Sequence, residues 1–346
     1  MNVYTCDPLT DDRWPGFVRT RPGASVFHTR GWLESLRRTY GYAPIVYSTS
    51  APAEPLNNAI VFCEVRSWLT GHRLVSLPFA DHCEPLVERP ADLVALCAEV
   101  ERAVDARRWR SIEIRPLSAG LHESARVRQS GAFCFHSLDL RRPLDDLFGR
   151  FHKDSIQRKI RRAEREGLAF DAGASEGHLQ AFYRLLLLTR RRHRLPPQPI
   201  DWFRNLMACL GDRVEICVAS KDRRAIAAIV LLRHLDTVVY KYGASDERFH
   251  NLGGMPFLFW NAIQRASNDG ACCLDLGRSD RDNEGLITFK DRLGAERSEL
   301  RYLRYSAGSA ASPEARWGAR MAQRVIANVP DRLFVSAGRL LYRHFG

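Results

Sequence analysis

The chain has 346 residues, of which 45% are hydrophobic and 27% charged, so there is room for two domains that each bury a core. That composition excludes a disordered or collagen-like chain, and nine scattered Cys without any C-x-x-C exclude a disulfide framework and a zinc ribbon. A net charge of +12 favours anionic partners, among them coenzyme A, a nucleotide sugar, tRNA and an acidic membrane surface, without choosing between them.

In chain order, the pattern predicts a helix over Trp32–Tyr40, strands over Ile45–Ser48, Ala59–Val65 and Arg73–Phe79, and a helix over Leu93–Arg108. A strand at Ser111–Arg115, a helix at Glu123–Gln129 and a strand at Cys134–Leu140 follow. Ser76–Glu84 falls where the third strand opens into its loop, which makes Asp81 and His82 candidates for a substrate cleft; a turn around Pro78 and Pro85 explains the same residues. Asp81, His82, Cys83 and Glu84 are contiguous and cannot converge on one ion, so no metal is expected.

Phe151–Leu168 reads as an amphipathic helix with Asp154 as N-cap, Ile156, Ile160 and Ala163 on one face and Gly167 as its stop. Its other face carries Lys153, Arg158, Lys159, Arg161, Arg162 and Arg165, either a solvated face or a phosphate-binding one. A helix over Leu179–Arg191 ends in a basic cluster containing Arg192, which a helix C-terminus stabilises by itself. Strands at Val214–Ala219, Ala225–Leu232 and Val238–Tyr242 come next.

After Gly243, the residues His250, Asn251, Gly253 and Gly254 lead to Pro256 and a helix carrying Phe257, Phe259, Trp260 and Ile263. A Gly-rich turn feeding a helix N-terminus suits a phosphate, and it also suits a plain helix entry. A buried strand at Ala271–Leu276 holds Asp275; a polar loop with Arg278 then leads to a short helix with Phe289 and Lys290 and to a last strand. Asp275 and Lys290 are candidates for catalysis or for an ion pair tying strand to helix. Residues 315–346 read as two short basic amphipathic helices that pack on the second domain or touch an anionic membrane. A meander followed by helix, strand, helix and strand, written twice, is an internal duplication of elements.

The order Tyr-x-Tyr-Gly-Ala-Ser from Tyr240, Pro256 and Trp260 on the next helix, Gly270, Asp-x-Gly-Arg from Asp275, Gly-Leu-x-x-Phe-Lys from Gly285, and Gly294 resembles the FemA/FemB/FemX family and the related CelD-type acetyltransferases of the GNAT superfamily. The resemblance implies an α/β chain of two tandem GNAT-like domains, 1–148 and 149–306, with 307–346 as linker and C-terminal helices. It implies transfer of an acyl or aminoacyl group to an amine or hydroxyl of a small molecule or a cell-envelope or polysaccharide precursor. By the same resemblance Phe289 and Lys290 handle the donor end, Tyr240 and Tyr242 border the acceptor cleft, Arg192 is an acceptor-site candidate, and the basic segment with Arg161 is shared.

The expected donor is acyl-CoA, because the long helical hairpin of some tRNA-dependent relatives is absent; aminoacyl-tRNA is the alternative, and a non-catalytic scaffold in polysaccharide assembly is a second. The acceptor nucleophile attacks a thioester or ester carbonyl polarised by backbone N–H groups of a splayed strand, with Asp275 or the substrate itself taking the proton. His250, Asn251, Gly253, Gly254 and Arg278 are the residues expected to hold the donor. A cytoplasmic location is expected, at the inner face of the membrane if the basic helices touch it, since there is no export signal and no apolar run of membrane-helix length.

Overall fold

The computed structural model describes residues 2–107, 109–118, 127–306 and 331–344. The order is β1 (Tyr4–Cys6), α1 (Arg13–Thr20), α2 (Arg30–Tyr40), β2 (Ala43–Ser48), β3 (Ile60–Ser67), β4 (Gly71–Ser76), α3 (Pro90–Arg107), β5 (Ser111–Ile114) and β6 (Val127–Asp139). Then come α4 (Leu144–Arg150), a π-turn at Lys153–Gln157, α5 (Arg158–Arg165), β7 (Ala169–Gly173), α6 (Glu176–Arg192), α7 (Ile200–Leu210), β8 (Val214–Lys221), β9 (Arg224–His234) and β10 (Thr237–Ser245). A 3-10 turn at Glu247–Leu252, α8 (Gly254–Asn268), β11 (Cys273–Asp280), α9 (Glu284–Arg292), β12 (Glu296–Ser306) and α10 (Asp331–Tyr342) complete it.

Two compact units result, one of 2–133, 300–306 and 339–344, the other of 134–299 and 331–338. The sequence suggested a split at 148; compactness places it at 133. Residues 303–306 pair with β5 in the first unit, and the Leu140 N–H donates to the Cys272 carbonyl in the second. The sheet of the first unit runs β1-β2-β3-β4-β5-β12, and that of the second β6-β11-β10-β9-β8-β7. Each has an antiparallel meander followed by a parallel neighbour: β4 with β5, and β10 with β11.

Val127–Gln129, expected in a helix, are strand, because the strand expected at Cys134–Leu140 begins seven residues earlier and sits between neighbours in the sheet; residues 119–126 lie outside the described residues. Asp154 does not cap the basic helix. The His152 ring accepts from the Ser155 N–H, a π-turn intervenes, and Asp154 pairs instead with Arg158 at 2.9 Å. Gly167 stops α5 with φ +67, as expected. Of the two C-terminal helices, one falls on residues outside the described set; α10 packs on the second unit through Phe334, which is 1% exposed beneath the Arg191 guanidinium. The core of the second unit is aliphatic and aromatic, with α5 and α8 covering one face through Ile160, Leu258, Phe259 and Ile263.

Candidate active site

In the second unit, β10 and β11 pair in parallel from Thr237↔Cys273 to Val239↔Asp275, and among the described residues the ladder ends there. Both strands run on, to Ser245 and Asp280. β10 stays bonded to β9 along its other edge as far as Ser245↔Ala227, with a one-residue slip at Lys241. A bulge bends its strand and adds twist, so β10 peels away from β11 and the backbone edge between them opens. In the first unit, by contrast, the β4–β5 ladder continues to Ser76↔Ile114, the last residues of both strands.

The slip also decides where the two tyrosines point. With an unbroken period of two, Tyr240 and Tyr242 would share a face. Instead Tyr240 packs edge-on against Phe259 of α8 at 4.8 Å, while Tyr242 packs against Phe203 of α7 at 5.1 Å and its hydroxyl accepts from Trp202 Nε1 at 2.8 Å. The Gly of this motif has a physical reason: a Cβ at Gly243 would stand 2.1 Å from the Tyr240 hydroxyl.

Beside the open end of β10 lies a cavity of about 520 Å³. Its walls come from the π-turn and α5 (Ser155, Lys159), the end of β10 (Ser245), the 3-10 turn (Phe249, His250), the start of α8 (Gly254, Met255) and α9 (Glu284, Thr288, Phe289, Arg292). Lys159 and Arg292 against Glu284 leave one positive charge in excess, which suits an anionic ligand.

His250 is its titratable centre. Ser245 Oγ lies 2.8 Å from His250 Nε2, and Arg192 Nη1 lies 3.4 Å from the same nitrogen. Both are donors there, so the lone pair of a neutral ring sits on Nε2 and its proton on Nδ1. Desolvation, then the positive charges of Arg192 and Lys159, hold the imidazole pKa below its usual value. The ring is therefore neutral at neutral pH.

Of the residues expected at the donor site, His250, Gly254 and Phe289 line the cavity, and Arg192 reaches it through His250. Gly253 does other work. It has φ +81, and a Cβ there would meet the Lys159 carbonyl oxygen at 2.4 Å, so this glycine lets the start of α8 press against α5. Asn251 is exposed and outside the cavity lining, and Arg161 is exposed with its guanidinium over the Phe148 ring at 5.8 Å.

Asp275 and Lys290 are outside the cavity lining and buried, 4% and 2% exposed. Asp275 accepts the Gly277 N–H at 2.6 Å, and Lys290 Nζ donates to the carbonyls of Gly277 and Arg278 at 3.0 and 3.2 Å. These contacts brace the diverging end of β11, the half of the opening that β10 does not control. Asp81 and His82 belong to the first unit, where the Asp81 carbonyl accepts from the Tyr302 hydroxyl at 2.6 Å and His82 is buried against Phe27.

Lys159, Ser155, Ser245, Thr288 and Arg292 were not singled out for the cavity by sequence reasoning. Lys159 could have been found only as one of five similar cations on α5. Ser245 was inside the quoted Tyr-Gly-Ala-Ser run and carried the signal.

Parallel strands that splay after a bulge, with a cavity at the start of the following helix, define a class: residues 150–290 match the family of GNAT acetyltransferase domains, and this segment is an acyltransferase domain of that kind. Part of the chain is similar to a known alanyltransferase. It is 26% identical over 136 residues to UDP-N-acetylmuramoylpentapeptide-lysine N(6)-alanyltransferase of Weissella viridescens, covering 38% of this chain and 40% of that protein. The match thus spans well under half of the relative's length. The fold of a solved FemX superposes over 87% of this chain and 97% of FemX with a TM-score of 0.68 at 15% identity. A tandem GNAT protein from the clavulanic acid biosynthesis pathway superposes over 90% of this chain and 100% of its own length with a TM-score of 0.54 at 12% identity.

Proposed function

We propose that the protein transfers an aminoacyl group from the 3′ ester of an aminoacyl-tRNA to an amine of a cell-envelope precursor. The observation that carries the chemistry is the opening between β10 and β11 beside the His250 cavity. The donor's carbonyl oxygen accepts from a backbone N–H on the open edge of β10, where a fixed dipole stabilises the charge that develops on it. The acceptor amine attacks the carbonyl carbon, the C–O ester bond breaks, and the ribose hydroxyl departs. Ser245 Oγ takes the proton that the attacking amine loses while passing its own to Nε2 of neutral His250, and the imidazolium returns a proton along the same path to the departing ribose oxygen.

Similarity to an alanyltransferase supports the aminoacyl donor over the acyl-CoA first expected, and the same relative's acceptor, a lysine on a UDP-N-acetylmuramoylpentapeptide, supports an envelope precursor amine here. Acyl-CoA is the second reading, favoured by the apolar part of the cavity wall at Ile156, Ile226, Met255 and Phe289, which suits a pantetheine-like arm. No helix of the described residues is long and apolar enough to cross a membrane.

Single-turnover transfer decides between the two. The protein is mixed with radiolabelled alanyl-tRNA or with acetyl-CoA, and amine acceptors including a muramoyl pentapeptide are supplied. Label moving from tRNA to the acceptor, and slowed about a hundredfold or more in His250→Asn, is the expected result. Transfer from acetyl-CoA alone overturns the donor, and transfer from tRNA at full rate in His250→Asn overturns the role of the imidazole.

A further inference from the structure

The β3–β4 hairpin of the first unit ends in two bulky apolar residues where a tight turn ordinarily carries polar ones. Trp68 is 81% exposed and Leu69 46%. This tip is built, not frayed. Ser67 Oγ accepts from the Leu69 and Thr70 N–H groups at 3.1 and 2.9 Å, and Gly71 closes the turn with φ +82. The chain's last turn braces it: Thr70 Oγ1 donates to the His344 carbonyl at 2.9 Å, His344 Nδ1 lies 3.0 Å from Ser67 Oγ, and its ring stands edge-on to Trp68 at 5.3 Å.

The surroundings of the tip are basic. Arg66, with a side chain 77% exposed, lies one residue before Ser67, and the exposed Arg110 lays its stem over Gly71. The acid beside them, Glu64, is only 11% exposed and is already engaged by Arg66 and Arg107 at 3.3 and 3.4 Å.

We infer that this hairpin docks the protein on an anionic lipid bilayer, with Trp68 and Leu69 entering the headgroup region and Arg66 and Arg110 meeting lipid phosphates. A protein partner would be served by an apolar tip alone. A rigid Trp-Leu tip flanked by two guanidinium groups matches the two layers of a membrane surface, where an indole prefers the interface and cations add electrostatic attraction. The inference is independent of the donor and of transfer activity.

The test is sedimentation of the full chain with vesicles of phosphatidylcholine alone and of phosphatidylcholine mixed with phosphatidylglycerol. The protein pellets with the mixed vesicles and less so as salt rises; Trp68→Ser with Leu69→Ser lowers that affinity about tenfold or more, and Arg66→Glu with Arg110→Glu does so for the mixed vesicles. Brominated lipid quenches tryptophan emission of the wild type on mixed vesicles, and Trp68→Phe pellets as before while losing most of that quenching, a readout that misfolding would not produce. Failure of the wild type to pellet, or full binding by the Trp68, Leu69 double variant, overturns the inference. So does a dimer in solution that the double variant abolishes while the wild type ignores vesicles, which would make a second copy the occupant.

Discussion

Lys290→Met tests whether the buried ammonium holds the opening between the strands. Methionine is unbranched and fills nearly the same space, so the perturbation removes the charge and its hydrogen bonds with little change in packing. Two carbonyls lose a donor, Gly277 in a buried contact and Arg278 in a partly buried one. An orphaned buried carbonyl costs about 1–3 kcal/mol and a half-hydrated one about half as much, while desolvation of the ammonium is relieved in part; the balance is a loss of about 2 kcal/mol. Urea unfolding followed by far-UV circular dichroism reads this as a lower midpoint with an unchanged slope. The transfer rate falls with it, because β11 relaxes toward β10 and the backbone edge closes. A variant as stable as the wild type refutes the bracing argument. If it is also inactive, Lys290 acts on the substrate and not on the strand.

Gly253→Ala forces a Cβ into left-handed backbone and against the Lys159 carbonyl 2.4 Å away, so it destabilises by about 2–4 kcal/mol in a thermal melt; a neutral result means α5 does not press on this turn. His136 is fully buried, its Nε2 lies 3.1 Å from Asp291 Oδ1, and desolvation, outweighing that carboxylate, pushes its pKa below the usual 6.5. The unfolded chain then binds the proton more readily than the folded one. The contribution of His136 is complete above about pH 6.5 and is lost as pH falls below it through the lowered value, so His136→Gln flattens the acid side of the stability profile between pH 7 and 5. An unchanged profile in that variant rules out His136 as the group responsible.

The motif from Tyr240 to Lys290 was legible because its residues answer to local demands. Gly243 lies under the Tyr240 hydroxyl, Gly253 has φ +81, and Asp275 and Lys290 satisfy the backbone of the strand that diverges. The Asp154 cap was misread because Asp is a good N-cap on propensity, yet the π-turn gives the cap to His152. The helix expected at Val127–Gln129 failed because a short segment there satisfies either period, and pairing in a sheet settles it.

The alternation of apolar residues, the turn glycines and the order of elements determined by themselves that each half is an antiparallel meander followed by a parallel strand, since those signals are set by near neighbours in the chain. Which half opens was decided by tertiary structure. The bulge at Lys241 is a property of how β10 registers on β9, and it sends Tyr240 and Tyr242 to opposite faces and splays β10 from β11. The lining of the cavity was decided the same way: Ser155 with Lys159, Ser245, and Arg292 come from three distant segments and meet only because α5, α8 and α9 pack around the end of one strand. Packing depends on partners distant along the chain, and a bulge depends on which backbone groups pair across the hairpin, which the pattern of side chains does not specify.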